Sequence, residues 1–176
     1  MKILAFAASS SAKSINKQLI RYSVTLLPLH ECEVIDLRDY ELPIFSVDKE
    51  MEGGIPQLAL QLFERIGTSD ALIISYAEHN GSYSAAYKNI FDWMSRINPK
   101  VFQNKPMVLL ATSPGPGGAK NVLEAAGKSA PYFGGQLKAS LSVPTFFDNF
   151  SSEEKRITND DINQKLKAAF DTLGAP

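Results

Sequence analysis

Short apolar runs alternate with amphipathic stretches along most of the chain, the pattern of a parallel sheet covered on both faces by helices. The runs Ile3–Ala7, Glu33–Leu37, Ala71–Ser75, Met107–Thr112 and Ala139–Val143 predict five strands. The first, third and fourth are nearly all apolar, as strands buried on both faces should be, whereas the second and fifth are mixed and read as edges. Between them, Asn16–Leu27, Ile55–Ile66, Ala85–Ile97 and Ala119–Ala130 carry apolar residues at helical spacing. A last helix is expected over Asp160–Leu173, with Thr158 as its cap, Asp161 completing a capping-box-like pair, and Asp160 and Asp161 at the positive end of the helix dipole. Lys88 and Asp92, four residues apart on a helix, read as a surface ion pair.

This order of elements predicts an α/β fold with one doubly wound, five-stranded parallel sheet of strand order 2-1-3-4-5. Ligands of such sheets bind beyond the carboxyl ends of the strands, where the winding reverses. The loops that matter therefore follow Ala7, Ser75 and Thr112. Residues 1–176 read as a single domain, and Arg38–Gly54 is the main irregular region.

Composition narrows the classes. The 18 basic and 19 acidic residues leave a net charge of −1, with no basic surplus for nucleic acid. No run approaches the roughly 20 apolar residues of a membrane span. Ile3–Ala8 is too short for a secretory signal, and the lone Cys32 allows no internal disulfide, so a reducing cytoplasm is the expected location. His30 and His79 are the only histidines, and neither has partners at metal-ligand spacing, so no metal site is expected.

The first loop, Ala8-Ser9-Ser10-Ser11-Ala12-Lys13-Ser14-Ile15-Asn16, brings four serine hydroxyls, an amide and backbone N–H groups to the start of a helix, the outline of an anion site. It has neither a triphosphate P-loop nor a dinucleotide fingerprint, and it has no cysteine nucleophile, so a phosphate here is gripped rather than cleaved. The alternative is a polar loop in which Ser14 merely caps the helix. The second loop, Tyr76-Ala77-Glu78-His79-Asn80-Gly81-Ser82-Tyr83, is polar, aromatic and bendable at Gly81. It suits one face and one edge of a flat heteroaromatic ring. Glu78 reads more readily as a loop-ordering carboxylate than as an acid catalyst, and His79 as an exposed loop residue. The third loop, Thr112-Ser113-Pro114-Gly115-Pro116-Gly117-Gly118-Ala119, combines glycines that let main chain approach a ligand with prolines that stiffen it.

Together the three loops resemble those of the NADPH-dependent FMN reductase family, the flavodoxin-like group that includes bacterial quinone, chromate and azo-dye reductases. The resemblance covers nearly all of residues 1–150. The family's G-S-x-R-x-x-S-x-N falls on Ala8, Ser9, Ser11, Ser14 and Asn16, with Ala8 in place of Gly and Ser11 in place of Arg. Its P-E-Y-N-x-S and K-N-x-x-D-W are kept as Glu78, Asn80, Ser82, Lys88, Asn89, Asp92 and Trp93, while Ala77 and His79 stand at the Pro and Tyr positions. Its S-x-G-x-x-G-G is retained as Ser113, Gly115 and Gly118, and Leu42-Pro43-Ile44-Phe45 is similar to its L-P-x-[FY].

The resemblance implies non-covalent FMN, its phosphate held by Ser9, Ser14 and Asn16, with Ser11 and Ile15 also among the cofactor-binding residues. The ring would be bordered by Ala77, Glu78, His79, Asn80 and Gly81 on one side and Ser113, Pro114, Gly115 and Gly118 on the other. It implies ping-pong hydride transfer from NADPH or NADH to a small acceptor such as a quinone, free flavin, azo compound or metal oxyanion. The cofactor carries that chemistry, so no catalytic side chain is expected. A homodimer or homotetramer is implied, with the helix carrying Phe91 and Trp93 as the interface. The rival readings are an electron carrier of the flavodoxin type and a flavin-free binding domain on the same fold.

Overall fold

The apolar runs pair as their pattern predicts in a computed structural model that describes residues 1–174. The chain begins β1 (Lys2–Ala8), α1 (Ile15–Thr25), β2 (Glu31–Ile35), a 3-10 turn (Leu37–Tyr40), α2 (Val47–Gly53) and α3 (Gln57–Thr68). It continues through β3 (Ala71–Tyr76), the short strands β4 (Glu78–His79) and β5 (Ser82–Tyr83), α4 (Ala85–Ile97), β6 (Pro106–Thr112) and α5 (Lys120–Ser129). It closes with β7 (Gln136–Val143), α6 (Phe146–Asn149), β8 (Phe150–Ser151), β9 (Arg156–Ile157) and α7 (Asp160–Asp171). The main sheet is parallel, in the order β2-β1-β3-β6-β7, which is the expected order of the five core strands.

Side chains alternate across the sheet with the strand period. Leu4, Phe6, Leu72 and Ile74 face α3, α4 and α5, where they meet Leu62, Ile66, Ile90 and Val122. Ile3, Ala5, Ile73 and Val108 face α1 and α7, where they meet Leu19, Ile20, Leu166 and Phe170. Each fully buried Leu or Ile contributes about 2 kcal/mol of transfer free energy, so these two layers dominate the fold.

Local departures from the sequence pattern have identifiable causes. β2 begins at Glu31 and stops at Ile35, two residues earlier than expected. Asp36 ends it by turning its carboxylate to the Arg38 N–H at 3.2 Å and capping the 3-10 turn. α3 starts at Gln57 because Pro56, whose ring fixes φ, sits at its N-cap. α7 is capped by Asn159, whose Oδ1 accepts the Ile162 N–H at 3.2 Å. Thr158, the expected cap, is instead bonded to the Asn149 carbonyl through its own N–H at 2.8 Å. The irregular stretch holds α2, a helix that buries none of its residues, started by Ser46.

Trp93 is buried and does not present itself for an interface. Its indole N–H donates to the Pro43 carbonyl at 2.8 Å, and its ring meets Phe45 edge-on at 5.0 Å. Phe91 lies half-buried against Phe133, with ring centroids 4.8 Å apart.

Candidate functional site

The carboxyl ends of β1, β3 and β6 are tied into one unit by side chains that the sequence spreads over a hundred residues. Asn16, buried in the first turn of α1, is the centre of the knot. Its Oδ1 accepts from the Ser75 hydroxyl at 2.8 Å and the Thr112 N–H at 3.1 Å, while its Nδ2 donates to the Thr112 carbonyl at 3.2 Å. The amide oxygen of Asn16 is therefore spent on joining β3 and β6 to the first loop, and what the residue leaves for a ligand is its backbone N–H and the second hydrogen of Nδ2. Ser84 makes a second tie by donating its hydroxyl to the Ala8 carbonyl at 2.8 Å while capping α4 through the Tyr87 N–H.

In the first loop Ser9 is buried and its Oγ accepts the Ser11 N–H at 3.2 Å. Ser14 caps α1 by accepting the Lys17 N–H at 3.4 Å. Ser11, Ala12 and Lys13 are exposed and Ile15 is half-buried. The backbone N–H groups of Ala12, Lys13, Ile15 and Asn16 have no acceptor among the described residues. They are donors at the positive end of a helix, which is what an anion requires. Behind them Lys17 is buried and ion-paired with Asp36, a contact absent from the sequence reading because 19 residues separate the two. Asp36 also accepts from Arg38 at 2.7 Å. The Arg38 guanidinium, and then Lys17, hold its carboxyl well below the usual carboxylate range. The charge of Lys17 is thus already matched.

The second loop is a tight antiparallel hairpin in which Glu78 pairs with Tyr83 and His79 with Ser82. Asn80 (φ 53°) and Gly81 (φ 77°) both lie in the left-handed region, as a two-residue type I′ turn requires. An Asn-Gly pair is the strongest short hairpin signature a sequence can carry; a bend at Gly81 was expected here, but not the hairpin. Ala77 is buried, while His79, Asn80 and Gly81 are exposed. Glu78 orders the loop, as anticipated: its carboxylate accepts the Val122 N–H at 2.9 Å and the Asn121 amide at 3.2 Å. α5 has no side-chain cap of its own, because Ala119 precedes it, so Glu78 supplies one from another loop.

The third loop is clamped from outside by the turn after β7. Thr145 N–H and Phe146 N–H donate to the carbonyls of Gly115 at 3.0 Å and Ser113 at 3.1 Å, and Ser142 donates to the Gly118 carbonyl at 2.7 Å. Gly118 (φ 58°) has no room for a side chain, since a Cβ would fall 2.1 Å from Ser142 Oγ and 3.1 Å from the Pro144 backbone. Gly115 and Gly117 differ: a Cβ on either meets nothing within 4 Å. Packing within the chain does not require glycine at these two positions, and the open space leaves their backbone accessible to a ligand. Pro114 is exposed beside them.

The Leu42–Phe45 segment is held by the α4 residues that the sequence set apart. Asn89 donates to the carbonyls of Leu42 at 3.2 Å and Pro43 at 3.1 Å and accepts the Phe45 N–H at 2.8 Å. Lys88 and Asp92 form the expected surface pair at 2.7 Å. Clefts flank the first loop on both sides. One, of about 460 Å³, runs between Ser10, Arg38, Leu42 and Ala86; the other, of about 620 Å³, opens at Ala12, Lys13 and Ser14. Among the described residues no cluster of potential ligands could hold a metal ion, and no helix is long and apolar enough to cross a membrane.

A doubly wound sheet with an anion-ready helix start at its first strand and two further ordered loops at the adjoining strand ends defines the flavodoxin-like class. Within it, the chain belongs to the NADPH-dependent FMN reductase family, whose pattern it matches over residues 1–147. It is 30% identical over 125 residues to an NADPH:quinone oxidoreductase of Arabidopsis thaliana, a match covering 69% of this chain and 62% of that one. It is 29% identical over 116 residues to an NAD(P)H-dependent FMN reductase of Pseudomonas aeruginosa, covering 65% and 61% of the two chains. These matches span about six-tenths of either relative's length. Among solved structures, the flavoenzyme NAD(P)H:(acceptor) oxidoreductase FerB of Paracoccus denitrificans superposes with a TM-score of 0.77 at 22% identity, over 98% of this chain and 94% of that one. That likeness is one of fold.

Proposed function

We propose that this protein is an FMN-dependent NAD(P)H oxidoreductase that passes reducing equivalents from NADPH or NADH to a small acceptor of the quinone, free-flavin, azo or metal-oxyanion type. The observation that carries the reading is the junction of four unpaired N–H donors at the start of α1 with two ordered loops, one of which exposes the backbone at Gly115 and Gly117. The family match over residues 1–147 supplies the cofactor. Bound FMN would accept hydride from the nicotinamide and donate it to the second substrate.

The chain's own part is binding and orientation. Backbone N–H groups of Ala12, Lys13, Ile15 and Asn16 are suited to the phosphate, with the hydroxyls of Ser9, Ser11 and Ser14 beside them. Ala77, Glu78, His79, Asn80 and Gly81 would border one edge of the ring, and Ser113, Pro114, Gly115 and Gly118 the other. Asn16 acts mainly through the loop, by holding it to β3 and β6. No side chain need donate a proton to the reacting atoms, and none is assigned that role. We read residues 1–176 as one domain and a homodimer or homotetramer as its working form, with α4 contributing the Phe91 side of the contact but not Trp93. The lone Cys32 fits a reducing cytoplasm.

Steady-state rates measured over a grid of NADPH and quinone concentrations test the reading. Parallel double-reciprocal lines support two half-reactions at one site. Intersecting lines contradict the ping-pong order, and FMN binding without NADPH turnover favours an electron carrier.

A further inference from the structure

Three cations with no ion-pair partner among the described residues converge on the cleft beside the first loop. Lys13 stands at its mouth, Arg21 lies two turns along α1, and Lys155 reaches across from the turn between β8 and β9. Lys17, the other cation in the wall, is already paired with Asp36. No carboxylate lines the cleft. Arg156, next to Lys155, is taken by Glu154 outside it. Positive charges of one sign lining a concavity raise its potential and favour an anion there.

Two observations say that this is more than a charged surface. The volume, about 620 Å³, is that of a small-molecule site, with Tyr22 and Phe150 as its largely buried apolar floor. Lys155 (φ 54°) is the last residue of the four-residue loop joining β8 to β9, so the hairpin itself sets the position from which this cation lines the cleft.

The anion is not a second view of the flavin phosphate. That phosphate is served by N–H groups at the helix start, whereas Arg21 lies about 10 Å further along α1, at 1.5 Å rise per residue. The cleft therefore offers charge at two levels: near the first loop at Lys13, and further along α1 at Arg21. A ligand carrying two separate phosphate groups on a nucleoside matches that spacing. The mouth adjoins the proposed flavin site, because β1 ends there and the chain after β7 returns to the same end of the sheet.

We propose that this cleft binds the adenosine end of the nicotinamide substrate, with Arg21 and Lys155 recognising the 2′-phosphate of NADPH and Lys13 its diphosphate. The proposal rests on the NAD(P)H reading above and makes NADPH the preferred donor over NADH.

Calorimetric titration of the FMN-incubated protein with adenosine 2′,5′-bisphosphate, which has no nicotinamide, tests the cleft without relying on turnover. One-site binding that weakens with added salt, and weakens about tenfold in both Arg21→Gln and Lys155→Gln, is expected from the loss of a charge-assisted contact. The same variants should raise KM for NADPH about tenfold and leave KM for NADH and kcat unchanged; Arg21→Lys should restore part of the affinity. Absence of bisphosphate binding, or equal binding by wild type and both variants, overturns the proposal. The two readings fail separately. Bisphosphate binding that the variants lose, without flavin reduction by NADPH, leaves the cleft and removes the oxidoreductase. Reduction by NADPH with unaltered variants does the reverse.

Discussion

The Ser75 hydroxyl donates to Asn16 Oδ1 at 2.8 Å, joining the end of β3 to the first turn of α1 across 59 residues of chain. This contact makes the first loop part of the sheet rather than an appendage. Replacing Asn16 by Ala strands the Ser75 hydroxyl and both backbone groups of Thr112 in a buried setting, at about 3 kcal/mol of folding stability. FMN affinity should fall as well, since the N–H donors of the loop lose their support. Urea unfolding and fluorescence titration of FMN measure the two effects. An Asn16→Ala variant of unchanged stability and unchanged affinity contradicts the role given to this residue.

Glu78 is expected to act on the site through α5. Glu78→Ala removes the side-chain cap that α5 has among the described residues and should cost about 1 kcal/mol. It should also loosen the 78–83 hairpin, so that FMN dissociates faster. Glu78→Gln, which keeps an acceptor for the Val122 N–H, should recover most of the stability. Equal losses in both variants, read by thermal unfolding and by the FMN off-rate, contradict the capping role.

Gly118 and Gly115 should respond in opposite ways to alanine. Gly118→Ala meets the Pro144 backbone at a positive φ and should lose about 2 kcal/mol or more. Gly115→Ala has open space and should fold normally while binding FMN less tightly. Comparison of melting temperature with FMN affinity in the two variants separates a packing glycine from a ligand-facing one.

Asp36 gives stability a defined pH dependence. Arg38 and Lys17 depress its pKa in the folded state, so its contribution is complete above the unfolded carboxylate value of about 4 and is lost as pH falls below it. Lys17→Met should cost about 2 kcal/mol at neutral pH, less than a fully broken buried pair because Arg38 remains. The gap between wild type and variant depends only on the depressed folded-state value of Asp36, so it should hold down to about pH 4 and narrow only on further acidification, as the folded carboxyl takes up a proton. Urea midpoints across that range check the sign. A gap that widens on acidification is the contrary result.

What could be read from the sequence follows the range of the interactions involved. Apolar runs such as Ala71–Ser75 reveal their burial locally, so the strands and their order were legible. The Asn80-Gly81 turn and the Ser46 start of α2 carried local signatures that the sequence reading left unused. The bonds of Asn16 to Ser75 and Thr112 and the pairing of Lys17 with Asp36 could not be seen, because nothing in either neighbourhood marks a partner so distant. The same holds for Trp93. The family resemblance placed its helix at an interface, but the Pro43 carbonyl and Phe45 that enclose the ring lie about fifty residues upstream.

The central claim is that the loops after β1, β3 and β6 form a flavin site that nicotinamide can reduce. The visible spectrum of the purified protein after incubation with FMN and removal of the excess, followed by anaerobic addition of NADPH, tests it most directly. The account predicts a retained flavin band that bleaches on addition. A protein that stays colourless, or a band that NADPH leaves unchanged, would contradict it.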